Sequence, residues 1–380
     1  MTLDLGPRID ALIDVIGERR PVSDALAVAL RAVPRHLFVP SVGVALAKDG
    51  PFLIDRDTDP AAWWATVYGP DAIVTQLDCG ATGIREVHGR YTSSNSAPGT
   101  VVDLLTLLAP EPGHRVLEVG TGTGWTSALL SHLVGDHGEV TSVEVDAAVA
   151  EQAAKNLAAT GAHPRLLVGD GALGYADGAL YDRVHVTCAV HTVPYAWVEQ
   201  ARPGAVIVAP FAPGFDVDLS VRLVVRPDGT AVGRFPGYTS YMMMRAQDGF
   251  PVAEDDGGGR RSTTRVDPRT IARASAGAGL AMSALTGLHI REDDEGDRFV
   301  LYVVDPANPN HWAAAVHDPD GEHLAYQLGD RSLWDELTDA YAQWVSWGEP
   351  GRDRFGLTVT PEGQRIWLDT PEHVLGHAGA

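Results

Sequence analysis

Residues 116–124 read Val-Leu-Glu-Val-Gly-Thr-Gly-Thr-Gly, and this run limits what the chain can fold into more than any other stretch. Arg115–Val119 predicts a buried strand, and Ser127–Val134 places apolar residues at helical spacing. The glycines therefore occupy a strand-to-helix turn. There the backbone can approach a ligand closely, and a helix N-terminus presents free N–H groups. A dinucleotide loop needs G-x-G-x-x-G, but that spacing puts Trp125 where the third glycine belongs. The pattern here is Glu118-x-Gly120-x-Gly122-x-Gly124, and a second acidic cluster, Glu144 and Asp146, closes the expected strand Glu139–Val145. An acidic residue after the second strand suits a ribose diol. Two carboxylates around a loop without Lys or Arg suit a cationic ligand better than a pyrophosphate. S-adenosylmethionine has both a ribose and a sulfonium.

Around this turn the chain alternates. A helix at Gly99–Leu108 leads to the Arg115–Val119 strand and a helix at Trp125–Val134. Then come a strand at Glu139–Val145, a helix at Ala147–Ala159 and strands at Arg165–Val168, Asp182–Thr187 and Ala205–Ala209, with a short helix at Tyr195–Ala201 before the last. Such alternation predicts an α/β fold, a Rossmann-like doubly wound parallel sheet. Residues 7–33 predict an N-terminal helical cap, and 34–98, rich in Pro, Gly and Asp, are too long for an idle connection and are expected to cover a site. Antiparallel strands are expected at Leu219–Val225, Ala231–Phe235 and Thr239–Met244. The Glu254-Asp255-Asp256 and triple-glycine stretch marks 251–266 as a linker or loop. Beyond it, strands at Phe299–Val304 and Leu324–Leu328, a helix at Ser332–Trp347 and a hairpin of Gly356–Val359 with Arg365–Leu368 predict a C-terminal α+β lobe. The expected organisation is a cap and substrate-side segment over 1–98, a doubly wound cofactor-binding domain over 99–250, a linker over 251–266 and a substrate-recognition lobe over 267–380.

Composition narrows the partners. The net charge is −21, from 50 acidic and 29 basic residues. That argues against nucleic acid, whose phosphates need a basic face. No apolar run approaches the roughly 18 residues of a membrane span, and the N-terminus lacks a signal-peptide pattern. Two cysteines, Cys79 and Cys188, provide no disulfide framework. A soluble cytoplasmic protein with a peptide substrate is expected, with no nucleic-acid or membrane partner.

In order along the chain, Pro34-Arg35-His36-Leu37-Phe38-Val39-Pro40, Ser96-Ala97-Pro98, Val116–Gly124, Gly169-Asp170-Gly171 and Gln200…Pro203-Gly204 resemble the motifs of the protein L-isoaspartyl O-methyltransferase family. The resemblance covers roughly residues 20–250 and implies a class I S-adenosylmethionine-dependent methyltransferase, with S-adenosylhomocysteine as product. The chain departs from the family in the extra hydroxyls of Thr92-Ser93-Ser94-Asn95 and in continuing from about residue 250 to 380. That layout resembles the subgroup associated with ribosomal-peptide maturation (graspetide, lanthipeptide and lasso-peptide systems), in which an Asp side chain is methylated and the ester closes to an aspartimide.

The resemblance assigns roles residue by residue. A carboxylate, which ordinarily titrates near 4, is ionised at neutral pH and attacks a sulfonium methyl without a general base (about 3.9 for Asp). A hydroxyl suits holding one carboxylate oxygen while the other attacks; Ser96 is the choice, Ser94 the second. The alternative is that the serines cap the following helix. Gly120, Thr121, Gly122 and Gly124 form the cofactor loop. Glu144 is expected to accept from the ribose hydroxyls, with Val145 beside it, and Asp170 from the adenine amino group, with Gly171 allowing close approach. An Asp-Gly turn is the alternative for Asp170. Glu118 is expected to orient the loop or face the methionine ammonium, and Thr187 sits at a strand carboxyl end, where open sheets place ligand contacts. His185-x-x-Cys188-x-x-His191 is not expected to bind metal, because positions 185 and 188 of a strand face opposite ways and no fourth ligand has suitable spacing. Trp63, Trp64 and Trp125 could line a peptide groove, and core packing is their alternative, as it is for Trp334, Trp344 and Trp347.

The expected function is methylation of an aspartate carboxylate in a modified ribosomal peptide, followed by closure to aspartimide. Repair of isoaspartyl residues by the same first step is the alternative. A binding scaffold without turnover is opposed by the intact loop, Glu144, Asp170 and Ser96.

Overall fold

The computed structural model describes residues 5–215, 217–250, 252–255, 257–295, 298–319 and 322–376. By compactness the chain forms two units. One runs to Cys188 and takes in Ala196–Ala209; the other comprises Ala189–Tyr195 and the chain from Pro210 onward.

The first unit begins with helices α1 (Gly6–Gly17) and α2 (Asp24–Ala32). Ile9, Leu12, Ile13 and Ile16 recur at helical spacing and are buried, and the Ser23 hydroxyl caps α2 through Leu26 N. Residues 34–98 then hold more order than their composition suggests. Strands β1 (Val42–Ala47), β2 (Gly50–Asp55), β3 (Ala72–Leu77) and β4 (Tyr91–Asn95) form an antiparallel sheet in the order β2-β1-β3-β4, with helix α3 (Pro60–Val67) between β2 and β3.

The alternating part follows the expected order: α4 (Pro98–Leu108), β5 (Arg115–Val119), α5 (Trp125–Val134), β6 (Glu139–Glu144), α6 (Ala147–Thr160), β7 (Arg165–Val168), β8 (Tyr181–Val186), α7 (Tyr195–Glu199) and β9 (Ala201–Phe211). Strands β9-β8-β5-β6-β7 pair parallel in that order. Strand order reverses at β5, where chain continuation goes to β6 on one side and β8 lies on the other. A crevice outside the strand carboxyl ends at such a point is where open α/β sheets bind ligands. This is the class I methyltransferase architecture.

The second unit holds β10 (Leu219–Val225) and β11 (Ala231–Tyr238), then β12 (Arg260–Thr264), α8 (Pro268–Ala272), α9 (Ala276–Thr286), β13 (His289–Glu295), β14 (Arg298–Val304), β15 (Trp312–Val316), β16 (His323–Leu328), α10 (Leu333–Ser346) and the hairpin β17 (Phe355–Thr360) and β18 (Gly363–Leu368). β10 pairs antiparallel with one edge of β11 and the hairpin, through β17, with the other, and the five remaining strands form a sheet in the order β12-β16-β15-β14-β13. Trp334 and Trp344 of α10 are buried, so packing accounts for them. Two expectations are corrected. Thr239–Met244 is not a strand: Ala189 exchanges both backbone bonds with Met242 and Met244 as an isolated bridge. Nor is 251–266 all linker, because Arg260–Thr264 forms the edge strand β12; its exposed side chains carry no apolar alternation to read. Pro251 and Asp256 of that stretch lie outside the described residues. Among the described residues no helix is long and apolar enough to cross a membrane.

Candidate active site

Gly120, Gly122 and Gly124 adopt φ values of +91°, +55° and +87°, which L side chains rarely take. Space is also short: a side chain at Gly120 would meet the Thr187 hydroxyl. That hydroxyl donates to the carbonyls of Val119 (3.1 Å) and Gly120, joining the end of β8 to the turn after β5. Thr187 therefore braces the loop from behind. On the other side, the Asn156 amide donates to Thr123 O at 3.0 Å.

Glu144 ends β6 with its carboxylate almost fully buried. Its two oxygens accept from Gly122 N (2.9 Å) and Asp146 N (3.1 Å). Each carboxylate oxygen has two lone-pair directions, so acceptor capacity remains for a diol. Asp146, by contrast, caps α6 by accepting from Ala148 and Val149 N–H. Near these strand ends Val145, Val168 and Leu173 are 50%, 60% and 68% exposed. Val145 follows β6, Val168 ends β7 in register with Glu144, and Leu173 lies in the turn beyond; exposed apolar residues at these strand ends, with no base in the glycine loop, fit an adenosyl group. Val168 and Leu173 are invisible to sequence reasoning because single apolar residues at strand ends carry no pattern. Asp170 accepts from Ala172 N at 2.9 Å, capping a short turn at Gly171–Leu173, and Gly171 is required because a Cβ would come within 2.5 Å of Val119. The turn alternative thus describes what one oxygen of the Asp170 carboxylate does.

Glu144→Ala removes a charged acceptor and the tie to Gly122 together. A hydrogen bond to a charged group is worth about 1.5–3 kcal/mol, so affinity for S-adenosylhomocysteine should fall at least about tenfold. Calorimetry on the variant reads this directly; unchanged affinity would take Glu144 out of the site.

Glu118 is fully buried. One carboxylate oxygen accepts from the hydroxyls of Ser142 (2.6 Å) and Ser127, and the Ser142 and Thr121 hydroxyls lie 2.7 Å apart. Glu118 thus reaches the loop through Ser142. Burial, opposed by the two serine bonds, raises its pKa to about 7. His185 stands opposite Glu118 in the β5–β8 register, and burial lowers its pKa to about 4. Burial also pushes the Cys188 thiol up to about 12, which suits an inert thiol. The His191 ring nitrogen Nδ1 lies 2.7 Å from Ala212 O.

On the substrate side, β4 alternates. Ser93 and Asn95 are buried, whereas Ser94 and Ser96 are half-buried. The Ser93 hydroxyl accepts from Thr75 at 3.2 Å. Helix α4 is capped by Ala97, without a side-chain cap bond, so the alternative of serine capping is not what the structure shows. Ser94 O lies 3.3 Å from where a Cβ on Gly122 would sit, and the Asn95 amide donates to the Thr123 hydroxyl at 2.9 Å. The serine run therefore abuts the glycine loop. Trp63 and Trp125 are core residues, while half-buried Trp64 stacks with Tyr68 and tilts against His36.

Comparison with known proteins agrees with the fold. A family model described as protein-L-isoaspartate(D-aspartate) O-methyltransferase matches residues 85–240. The chain is similar to protein-L-isoaspartate O-methyltransferase of Methanopyrus kandleri, 37% identical over 161 residues, covering 42% of this chain and 71% of that one. It is also similar to protein-L-isoaspartate O-methyltransferase 1 of Archaeoglobus fulgidus, 31% identical over 209 residues, covering 55% and 81%. A solved structure titled protein-L-isoaspartate O-methyltransferase superposes with a TM-score of 0.58 at 21% identity, covering 95% of this chain and 100% of that chain. At that identity the likeness is one of fold.

Proposed function

Because the chain belongs to the protein-L-isoaspartate(D-aspartate) O-methyltransferase family, we propose that it methylates the free carboxylate of isoaspartyl residues in peptides and proteins. The observation that carries this reading is the seating of β4 against the glycine loop, with Ser94 O beside Gly122 and Asn95 bonded to Thr123. It brings the hydroxyl run of the substrate side next to the loop of the cofactor side. S-adenosylmethionine, when bound, supplies a methyl activated by its sulfonium. Glu144 would hold the ribose, Asp170 and Gly171 would face the adenine edge, and Val145 would support the ring.

The remaining work is positioning. The free carboxylate of an isoaspartyl residue is an α-carboxyl, which titrates at about 3.5, so it is already ionised at neutral pH and no residue need take a proton from it. Ser96, with Ser94 as the second choice, donates to one carboxylate oxygen and leaves the other free for in-line attack on the methyl. One C–O bond forms as the S–CH₃ bond breaks, giving a methyl ester and S-adenosylhomocysteine. The ester then closes without help: the following amide nitrogen attacks, loses its proton and expels methanol, giving a succinimide.

The same step on an Asp of a constrained ribosomal peptide would yield an aspartimide, and the ground for that reading is the region beyond residue 250. Length is not diagnostic, since a chain titled as the isoaspartate enzyme is matched along its whole length by 95% of this one. The isoaspartyl substrate is therefore the reading adopted. In a methyl-transfer assay, an isoaspartyl tripeptide should accept methyl and release methanol, while the matching Asp tripeptide should stay unmodified. Inert isoaspartyl peptides beside a methylated ribosomal precursor would reverse the assignment.

A further inference from the structure

Arg35 is an uncommon object in this fold: a guanidinium 1% exposed whose hydrogen-bond partners are all neutral. Its Nη1 donates to the carbonyls of Val67 (3.0 Å) and Gly69 (3.4 Å), and its Nη2 to those of Asp71 (2.8 Å), Asn95 (3.2 Å) and Ser96 (3.0 Å). Its Nε donates to the Asn95 side-chain oxygen at 2.6 Å. The group lies over the Trp125 ring at 5.5 Å, and Trp125 opens α5 directly behind the glycine loop. Burial lowers the Arg35 pKa to about 9, which still leaves it charged at neutral pH.

A guanidinium can only donate, so the Asn95 oxygen must face it and the Asn95 NH₂ must face away. That NH₂ meets the Thr123 hydroxyl at 2.9 Å. One continuous path then runs Arg35, Asn95, Thr123. It fixes the Ser96 carbonyl at one end and the glycine loop at the other. Asn95 is itself 1% exposed, so its link to Arg35 does not compete with bulk water, and its link to half-buried Thr123 is partly shielded.

We infer that Arg35 and Asn95 are positioning residues that set the distance between the substrate-holding serines and the methyl donor, through the Asn95–Thr123 hydrogen bond. The inference rests on the proposed methyl transfer. A misplacement of about 1 Å can cost roughly a hundredfold in an oriented reaction, so a single bond across this junction has leverage on rate.

Thr123→Val is the decisive variant. It removes the acceptor, keeps the side-chain shape and leaves every Arg35 bond intact, whereas removing Arg35 would strand buried carbonyls and endanger folding. The kcat on an isoaspartyl tripeptide should fall about tenfold or more, with S-adenosylhomocysteine affinity and melting temperature little changed. Combined with Ser96→Ala, the loss should be much smaller than the product of the single losses, because a hydroxyl already displaced has less to lose. Asn95→Asp should lose less than Asn95→Leu, since an Asp keeps the Arg35 bond and can accept from the Thr123 hydroxyl. Multiplicative losses in the double variant, or a loss confined to cofactor affinity or melting temperature, would overturn the inference while leaving the function standing. A wild-type chain that transfers no methyl to isoaspartyl peptides would remove both.

Discussion

Ser96→Ala should lower turnover of an isoaspartyl peptide by about 10²–10³ while S-adenosylhomocysteine affinity stays close to wild type, as for loss of one positioned donor. The split follows from placement. Ser96 directly follows β4, the strand that abuts the glycine loop, and its carbonyl is already held by Arg35 at 3.0 Å. The backbone there is fixed, so removing the hydroxyl changes chemistry and leaves the fold alone. Ser93 is excluded from the role because it is 6% exposed and bonded to Thr75. Ser94 shares the half-buried class with Ser96 and borders Gly122. Single-turnover rates with cofactor saturating separate the two. A wild-type rate in Ser96→Ala, with the large loss appearing in Ser94→Ala, would move the assignment by two residues.

What the sequence discloses depends on whether a feature is local. The expected bounds of β5, α5, β7 and β10 match those observed, because each is a short apolar run or a helical stripe ended by glycine, proline or a charged turn. The glycine loop and Glu144 are legible for the same reason: spacing within about thirty residues encodes them. Strands β1–β4 are not, since segments of five or six residues among Pro, Gly and Asp declare themselves only through partners. The acidic β13 and the polar β12 are edge strands, where charge replaces alternation. The Arg35–Asn95–Thr123 path spans separations of 60 and 28 residues. Arg35 can be read as part of a motif, but its buried partners cannot.

The free energy of unfolding of Glu118→Gln relative to wild type should rise by about 3 kcal/mol between pH 4 and pH 8, in the protein without cofactor. In the unfolded chain Glu118 ionises near 4.5, and in the folded protein near 7. Between those values the folded state holds the extra proton. Stability contributed by the group is therefore lost as pH rises through that window and stays lost above it. His185 works the other way. Its pKa falls from 6.5 to about 4, so the unfolded chain holds the extra proton between those values and stability falls as pH drops. In the wild type the two slopes largely cancel from about 4.5 to 6.5, leaving the His185 slope uncovered just below that window and the Glu118 loss uncovered just above it. Glutamine removes one slope and leaves the other. Any constant cost of placing amide N–H groups beside Ser127 and Ser142 is the same at both pH values, so it drops out of the change. Urea unfolding at pH 4 and pH 8 measures it. A variant-to-wild-type difference independent of pH would mean that Glu118 titrates alike in both states, and that the serine hydroxyls offset its burial.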